Sequence, residues 1–258
     1  MTSPTIDELF AQTLQGAYDN DDAWQAIHAL RSAGTREIFE KAAEWCRSSE
    51  PFKRARGADI LAQIGKTSEH PTPLFADESF SVLTGMLESE TDPVALSATI
   101  TAFGHLENSS IISQILPFSY HPNADVRYGL AFALGCFADD ERGISTLIKL
   151  MTDQDTEVRD WATFGLGVLG EFDSSKIRDA LFKNLSDEDE DVREEAMVGL
   201  AKRNDLRSLS AVIRSLEEDE PSPSALDAAN FLLERTADPL EEPSICLQAL
   251  RRRFPQQP

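Results

Sequence analysis

The chain has 258 residues, 41% of them hydrophobic and 27% charged, with 14 Phe and 3 Trp. That is ample for a buried core and too apolar for a wholly disordered chain. Its 45 Asp and Glu face 24 Lys and Arg, a formal charge of −21, the wrong sign for neutralising nucleic-acid phosphates or docking on anionic membranes.

Residues 1–50 read as a helical N-terminal cap. Apolar residues recur at helical spacing through Trp24, Ile27, Ala29 and Leu30, then Ile38, Phe39, Ala42, Ala43 and Cys46. The opening MTSPTIDELFAQTL has no cationic start followed by an apolar run, so no secretory signal is expected. No stretch approaches the roughly 18 consecutive apolar residues of a membrane helix. A cytoplasmic protein is the expectation, with Cys46, Cys136 and Cys246 as buried small residues rather than a disulfide framework.

From Lys53, KRARGADILAQIG opens a series of related segments. Gly65 to Ala76, GKTSEHPTPLFA, interrupts it as a longer loop. DPVALSATITAFGHLE follows from Asp92. Three segments then align without gaps: DVRYGLAFALGCFA from Asp125, EVRDWATFGLGVLG from Glu157 and DVREEAMVGLAKRN from Asp191. PSPSALDAANFLLE, from Pro221, is a degenerate copy. The Val-Arg pairs at 126–127, 158–159 and 192–193 lie 32 and 34 residues apart, a period that signals stacked repeats.

Each unit reads as two helices. In 140–170, Ile144, Leu147, Ile148 and Leu150 mark the first and MTDQDTE a polar, cap-rich turn. The second carries the stripe Val158, Ala162, Leu166 and Leu169, matched by Val126, Leu130, Leu134 and Phe137 and by Val192, Ala196 and Leu200. A helix pair cannot bury its apolar face alone, whereas a stack of pairs can. The expected fold is all-α: a right-handed α-α superhelix of about six to seven antiparallel helix pairs in a single domain over 1–258. Repeats are recognisable over 51–235, and 236–258 forms a C-terminal cap helix.

The pattern D-x-x-V-R-x-x-A-x-x-x-L-G stands here as Asp155, Val158, Arg159, Ala162, Leu166 and Gly167, with near copies around Val126 and Val192. It resembles the HEAT repeat, in the short bacterial form of phycobilin-lyase-type proteins, over about residues 50–235. The resemblance implies that first helices lie on the convex side and second helices line the concave side. It also implies a structural ladder of helix Arg and turn Asp: Arg127, Arg159 and Arg193 with Asp125, Asp155, Asp189 and Asp191.

Enzymatic motifs do not survive inspection. Gly165, Gly167 and Gly170 spell G-x-G-x-x-G, but inside a repeat helix rather than after a strand, so they read as helix-packing glycines. His28, His70, His105 and His121 are not followed by Glu, and neither H-E-x-x-H nor C-x-x-C occurs. No catalytic residue, metal or cofactor is expected.

The second helices turn other residues outward: Tyr128 and Phe132 in one unit, Asp160, Trp161 and Phe164 in the next, Glu194, Glu195 and Val198 in the third. These form the expected partner-binding face. Phe132 and Phe164 have a competing assignment as packing between units; Tyr128 and Trp161 read as exposed. The run 186–195 holds seven carboxylates, including Asp187, Glu188, Asp189, Glu190 and Asp191. It lacks the Gly and Glu of an EF-hand loop and reads as a solvated acidic turn that also caps a helix.

The expectation is a non-enzymatic protein-binding solenoid whose acidic, aromatic-containing face holds a basic protein, as an immunity protein neutralising a toxin such as a nuclease would. A general scaffold or assembly factor is one alternative, and a phycobilin-lyase-like chromophore attachment factor another.

Overall fold

A computed structural model describes residues 4–255. None of the described residues lies in a strand, and the chain divides into two compact units, Met1–Cys136 and Phe137–Pro258.

The first unit runs α1 (Ile6–Gln12), α2 (Asp21–Ala33), α3 (Arg36–Trp45), α4 (Pro51–Ala62), α5 (Ala76–Leu87), α6 (Pro93–Leu106), the short α7 (Ile112–Ile115) between two 3-10 turns, and α8 (Ala124–Gly135). The second helices form one row, α2 on α4, α4 on α6 and α6 on α8, while α1, α3 and α5 each pack on the helix that follows. Arg56 is fully buried in this unit. Its guanidinium lies against Tyr18, Phe52 and Trp24 and donates to the carbonyls of Thr13 and Tyr18 and to Asp59. The Gly65–Ala76 loop links α4 to α5 without helix up to residue 75.

The second unit runs α9 (Glu141–Leu150), α10 (Thr156–Phe164) continuing into a π-helical turn (Gly165–Leu169), α11 (Ser175–Asn184), α12 (Glu190–Lys202), α13 (Leu209–Leu216), α14 (Pro223–Leu232) and α15 (Pro243–Arg253). Here α12 packs on both α10 and α14, with α9, α11 and α13 beside their following helices. Cys246 and Leu250 of α15 enter the terminal core with Val212, Leu216, Ala228 and Leu232.

The polar turns set where second helices begin. Asp92, Asn123, Asp155, Asp189 and Ser222 are N-caps whose side chains accept from backbone N–H groups of the first turn. Those N–H groups have no partner inside the helix. The repeat stripes are buried as expected at Val126, Leu130, Leu134, Val158, Ala162, Leu166, Val192, Ala196 and Leu200. Leu169 departs from them at 45% exposed. The π turn inserts one residue into the helical count, which rotates everything after Leu166 by about 100° and carries Leu169 out of the stripe. Cys136 also departs: it is exposed, at the C-cap of α8 beyond the last helical turn, whereas Cys46 and Cys246 are buried.

The G-x-G-x-x-G glycines pack helices. A Cβ on Gly167 would lie 3.0 Å from the Glu195 carbonyl oxygen, and one on Gly199 would lie 2.6 Å from the Gly167 Cα. The π turn's free carbonyls are taken up by Arg203, whose guanidinium bonds those of Leu166, Gly167 and Gly170 along with Gly199 and Phe172. Gly199→Ala therefore overpacks a backbone contact. Although alanine is the better helix former, urea denaturation should show a loss of about 1–3 kcal/mol, not a gain.

Candidate functional site

The arginine four residues after the N-cap makes one recurring contact. Arg159 donates through Nη1 to the Asp153 carbonyl, six residues back, and through Nε and Nη2 to the Asp187 carboxylate at 2.8 and 2.9 Å. Arg54 does the same in the first unit, reaching the Ser48 carbonyl and holding Glu90 at 2.6 and 2.8 Å. Arg127 and Arg193 repeat the backbone half of the grip on the carbonyls of His121 and Asp187. Each Arg thus clamps its own turn, and the two-pronged guanidinium of Arg54 and of Arg159 also reaches an acid two residues before the next second helix's N-cap.

The carboxylate facing Arg159 is therefore Asp187, and Asp155 is occupied in capping α10, with its Oδ1 accepting from the Val158 N–H. A cap residue points its oxygens at its own helix, so the ladder acid must sit just upstream. Burial alone would raise the Asp187 carboxyl, but the Arg159 hydrogen bond and the Asp189 N–H outweigh it and hold it below the usual range. Arg54 and Glu90 were not singled out in the sequence. Their signal was there, since Arg54 stands as far from its N-cap Glu50 as Arg159 does from Asp155.

Between α10 and α12 the acid converges. The carboxyls of Asp160 on α10 and Glu195 on α12 are near enough to shift each other's proton affinity. Asp160 Oδ1 and Glu195 Oε2 are shut off from solvent and have no hydrogen-bond partner. Burial, then the Asp160 charge beside it, then Asp191 and Asp189 push Glu195 up to about 9. Burial and the charges of Asp191, Glu157 and Asp189 also raise Asp160, partly offset by the Glu195 carboxyl. Half-buried Trp161 and Phe164 flank this edge of α10, their rings 5.6 Å apart and nearly perpendicular.

The remaining predicted face residues are placed differently. Glu194 is half-buried on α12, and Glu188, Glu190 and Asp191 are exposed. Val198 is only 7% exposed and belongs to the core with Leu209 and Val212, which removes it from any surface a partner could touch. Its position on α12 faces α13 and α14 rather than outward. Tyr128 and Phe132 belong to α8 of the first unit, both half-buried, with Phe132 packed 4.9 Å from the His105 ring. Among the described residues no group of His, Cys, Asp and Glu is arranged to hold a metal ion, and no helix is long and apolar enough to cross a membrane.

Arg159→Ala leaves the largely buried Asp187 unpaired and should cost about 2–4 kcal/mol at pH 7. Because Asp187 lies below its ordinary value of 3.8 in the fold, the pair's contribution is complete above that pH. It drains away as pH falls through the depressed value. Stability curves of wild type and variant should therefore converge in strong acid.

Residues 144–234 match the family described as HEAT repeats. Protein YibA of Escherichia coli (strain K12) is 27% identical over 240 residues, covering 91% of this chain and 82% of YibA, and Protein YibA of strain O157:H7 matches equally. The X-ray structure of E. coli YibA superimposes with a TM-score of 0.70 at 25% identity, covering 97% of this chain and 92% of that one. The complex of CpcE and CpcF of phycocyanin lyase from Nostoc sp. PCC7120 shares the fold, with a TM-score of 0.52 at 14% identity over 98% of this chain and 96% of that one. The chain is all-α, carries HEAT repeats over residues 144–234 and is similar over most of its length to bacterial YibA.

Proposed function

We propose that this protein is a non-enzymatic binding module that holds a basic protein on the acidic second-helix face of residues 137–258. The observation that carries the reading is the carboxyl pair of Asp160 and Glu195 among Glu157, Asp189 and Asp191. Burial first, and then the charges of Asp160, Asp191 and Asp189, raise the Glu195 carboxyl well above the usual glutamate range, while Glu157, Glu188, Glu190 and Asp191 stand exposed beside it. A cationic side chain arriving beside such a cluster gains attraction from several carboxylates and relieves their mutual repulsion. Trp161 and Phe164, on the same helix, supply the aromatic surface that anchors protein interfaces.

In its narrowest form the partner is a toxin such as a nuclease, whose phosphate-binding surface is basic, and the carboxylates occupy the place of nucleic-acid phosphates. An immunity or inhibitor role would follow from that occupancy. HEAT repeats as a general scaffold give the same surface a broader use.

The test is capture of partners from the native host at about 50 and 300 mM salt, with wild type and with a Glu157→Lys/Asp191→Lys/Glu194→Lys variant. A basic protein retained at low salt, with affinity at least about tenfold weaker at high salt and lost with the variant, supports the reading. Retention indifferent to both salt and charge reversal overturns it. If the captured protein is a nuclease, its activity in the presence of the chain tests inhibition directly.

A further inference from the structure

We propose that the cleft between α3 and α5 of the first unit binds a small phosphate monoester. The cleft is built from that unit alone, so it stands or falls independently of the partner reading above.

The space arises from what α5 lacks. Ser81 and Gly85 stand about one turn apart on this helix, and Ser89 follows just beyond its C-cap, Glu88. A Cβ placed on Gly85 would meet nothing within 4 Å. Because no side chain fills the gap toward the end of α3, a cavity of about 550 Å³ remains. Small-ligand sites typically enclose roughly 300–1,000 Å³. Residues 46–48 form one wall, α5 with Val82 and Met86 another, and the turn 89–91 closes the end. A second hollow shares Arg47, Ser81 and Val82 and continues the cleft along α3 to Phe39.

On a chain of net charge −21, the charge left unmatched here is positive. Three carboxylates line the two hollows, and an arginine already holds each of them. Arg54 grips Glu90 at 2.6 and 2.8 Å, while Arg36 holds Glu78 at 2.8 Å and Glu40 at 3.0 Å. Arg47 is exposed, and among the described residues its one side-chain bond runs from Nη1 to the Ala43 carbonyl at 3.1 Å. Its remaining guanidinium donors meet no carboxylate. Ser81, Ser89 and Thr91 add exposed hydroxyls to the lining. Ser48 accepts from the Glu50 N–H and keeps its own proton to donate.

This donor set selects among anions. A carboxylate offers two oxygens in one plane, which suits a single guanidinium fork. A phosphate monoester offers three terminal oxygens spread around a tetrahedron, enough for a guanidinium and several hydroxyls together. Val82 and Met86 supply an apolar wall for the organic part, and the cavity is far larger than a bare phosphate needs. The turn carrying Ser89 and Thr91 is also fixed in advance. Glu90, pinned by Arg54, accepts from the Thr91 and Asp92 N–H groups at 2.9 Å each, so little ordering remains to be done on binding.

The test is a nitrogen-15 NMR titration of the full chain at constant ionic strength, with phenyl phosphate, inorganic phosphate and acetate as probes. Phenyl phosphate should shift the amides of residues 46–48 and 81–91 saturably. Inorganic phosphate should move the same amides with weaker affinity, and acetate should leave them in place. Arg47→Gln removes a charge-assisted contact and should weaken phenyl phosphate about tenfold or more. Gly85→Leu fills the cleft and should abolish the shifts. It should melt no lower than wild type, since leucine is the better helix former and its Cβ meets no neighbour. The proposal is overturned by shifts that do not saturate, by an equal response to acetate, by shifts centred on other arginines, or by undiminished binding to Gly85→Leu. The wild-type shift map decides the matter even if a variant fails to fold.

Discussion

The second unit depends on how closely α10 and α12 approach at Gly167 and Gly199. Two helices normally keep about 8–10 Å between axes because side chains intervene. Here one glycine meets another, and a single added methyl would fall inside van der Waals contact. The nearness has consequences in both directions along the seam. Toward the C-terminal end, α10 finishes in a π turn whose free carbonyls require a buried cation, and Arg203 fills that need from the C-cap of α12. Toward the N-terminal end, Asp160 and Glu195 each turn a carboxyl oxygen out of reach of solvent with no hydrogen-bond partner. The same close contact therefore accompanies a backbone irregularity capped by arginine and two buried carboxyl oxygens left without partners.

Arginine recurs in this protein as a fastener more than as a surface charge. Arg54 and Arg159 each join a carbonyl of their own turn to an acid upstream of the next second helix. Arg203 joins five carbonyls, and Arg56 is enclosed by aromatic rings and backbone oxygens. A planar guanidinium with five donors suits junctions where several backbone acceptors converge, a task a lysine ammonium performs less well. With 24 basic residues against 45 acidic ones, committing arginines to internal carbonyls leaves fewer cations to balance the exposed acid.

The helix pairs, their polar turns and the buried stripes were legible in the sequence because each rests on a local signal: apolar spacing at four, four and three, and Asp, Asn or Ser where a helix must be capped. The ladder was half legible. The arginines stand out as Val-Arg pairs, but the acid they reach lies in the next turn, and the neighbouring cap Asp residues look equally suitable until their oxygens are seen turned to their own helices. Leu169 and Val198 were misplaced for different reasons. At Leu169 the error came from assuming an unbroken 3.6-residue period through three glycines, where the chain inserts a π turn. At Val198 a valine on the outward arc of an isolated helix is covered by α13 and α14, whose positions no single-helix pattern encodes.

Asp160 and Glu195 were both read from the sequence as outward-facing acids, and their surroundings give that reading a different physical meaning. Exposed carboxylates on a −21 chain are individually weak attractors, since solvent and salt screen them within about 8–10 Å. The Glu195 carboxyl answers instead first to its own burial and then to the charges of Asp160, Asp191 and Asp189, all of which push its proton affinity up. Weakening the field of these acids, whether by removing one of them or by bringing in a cation, pulls the proton's affinity down. Proton binding and cation binding at this edge of α10 and α12 are therefore thermodynamically opposed.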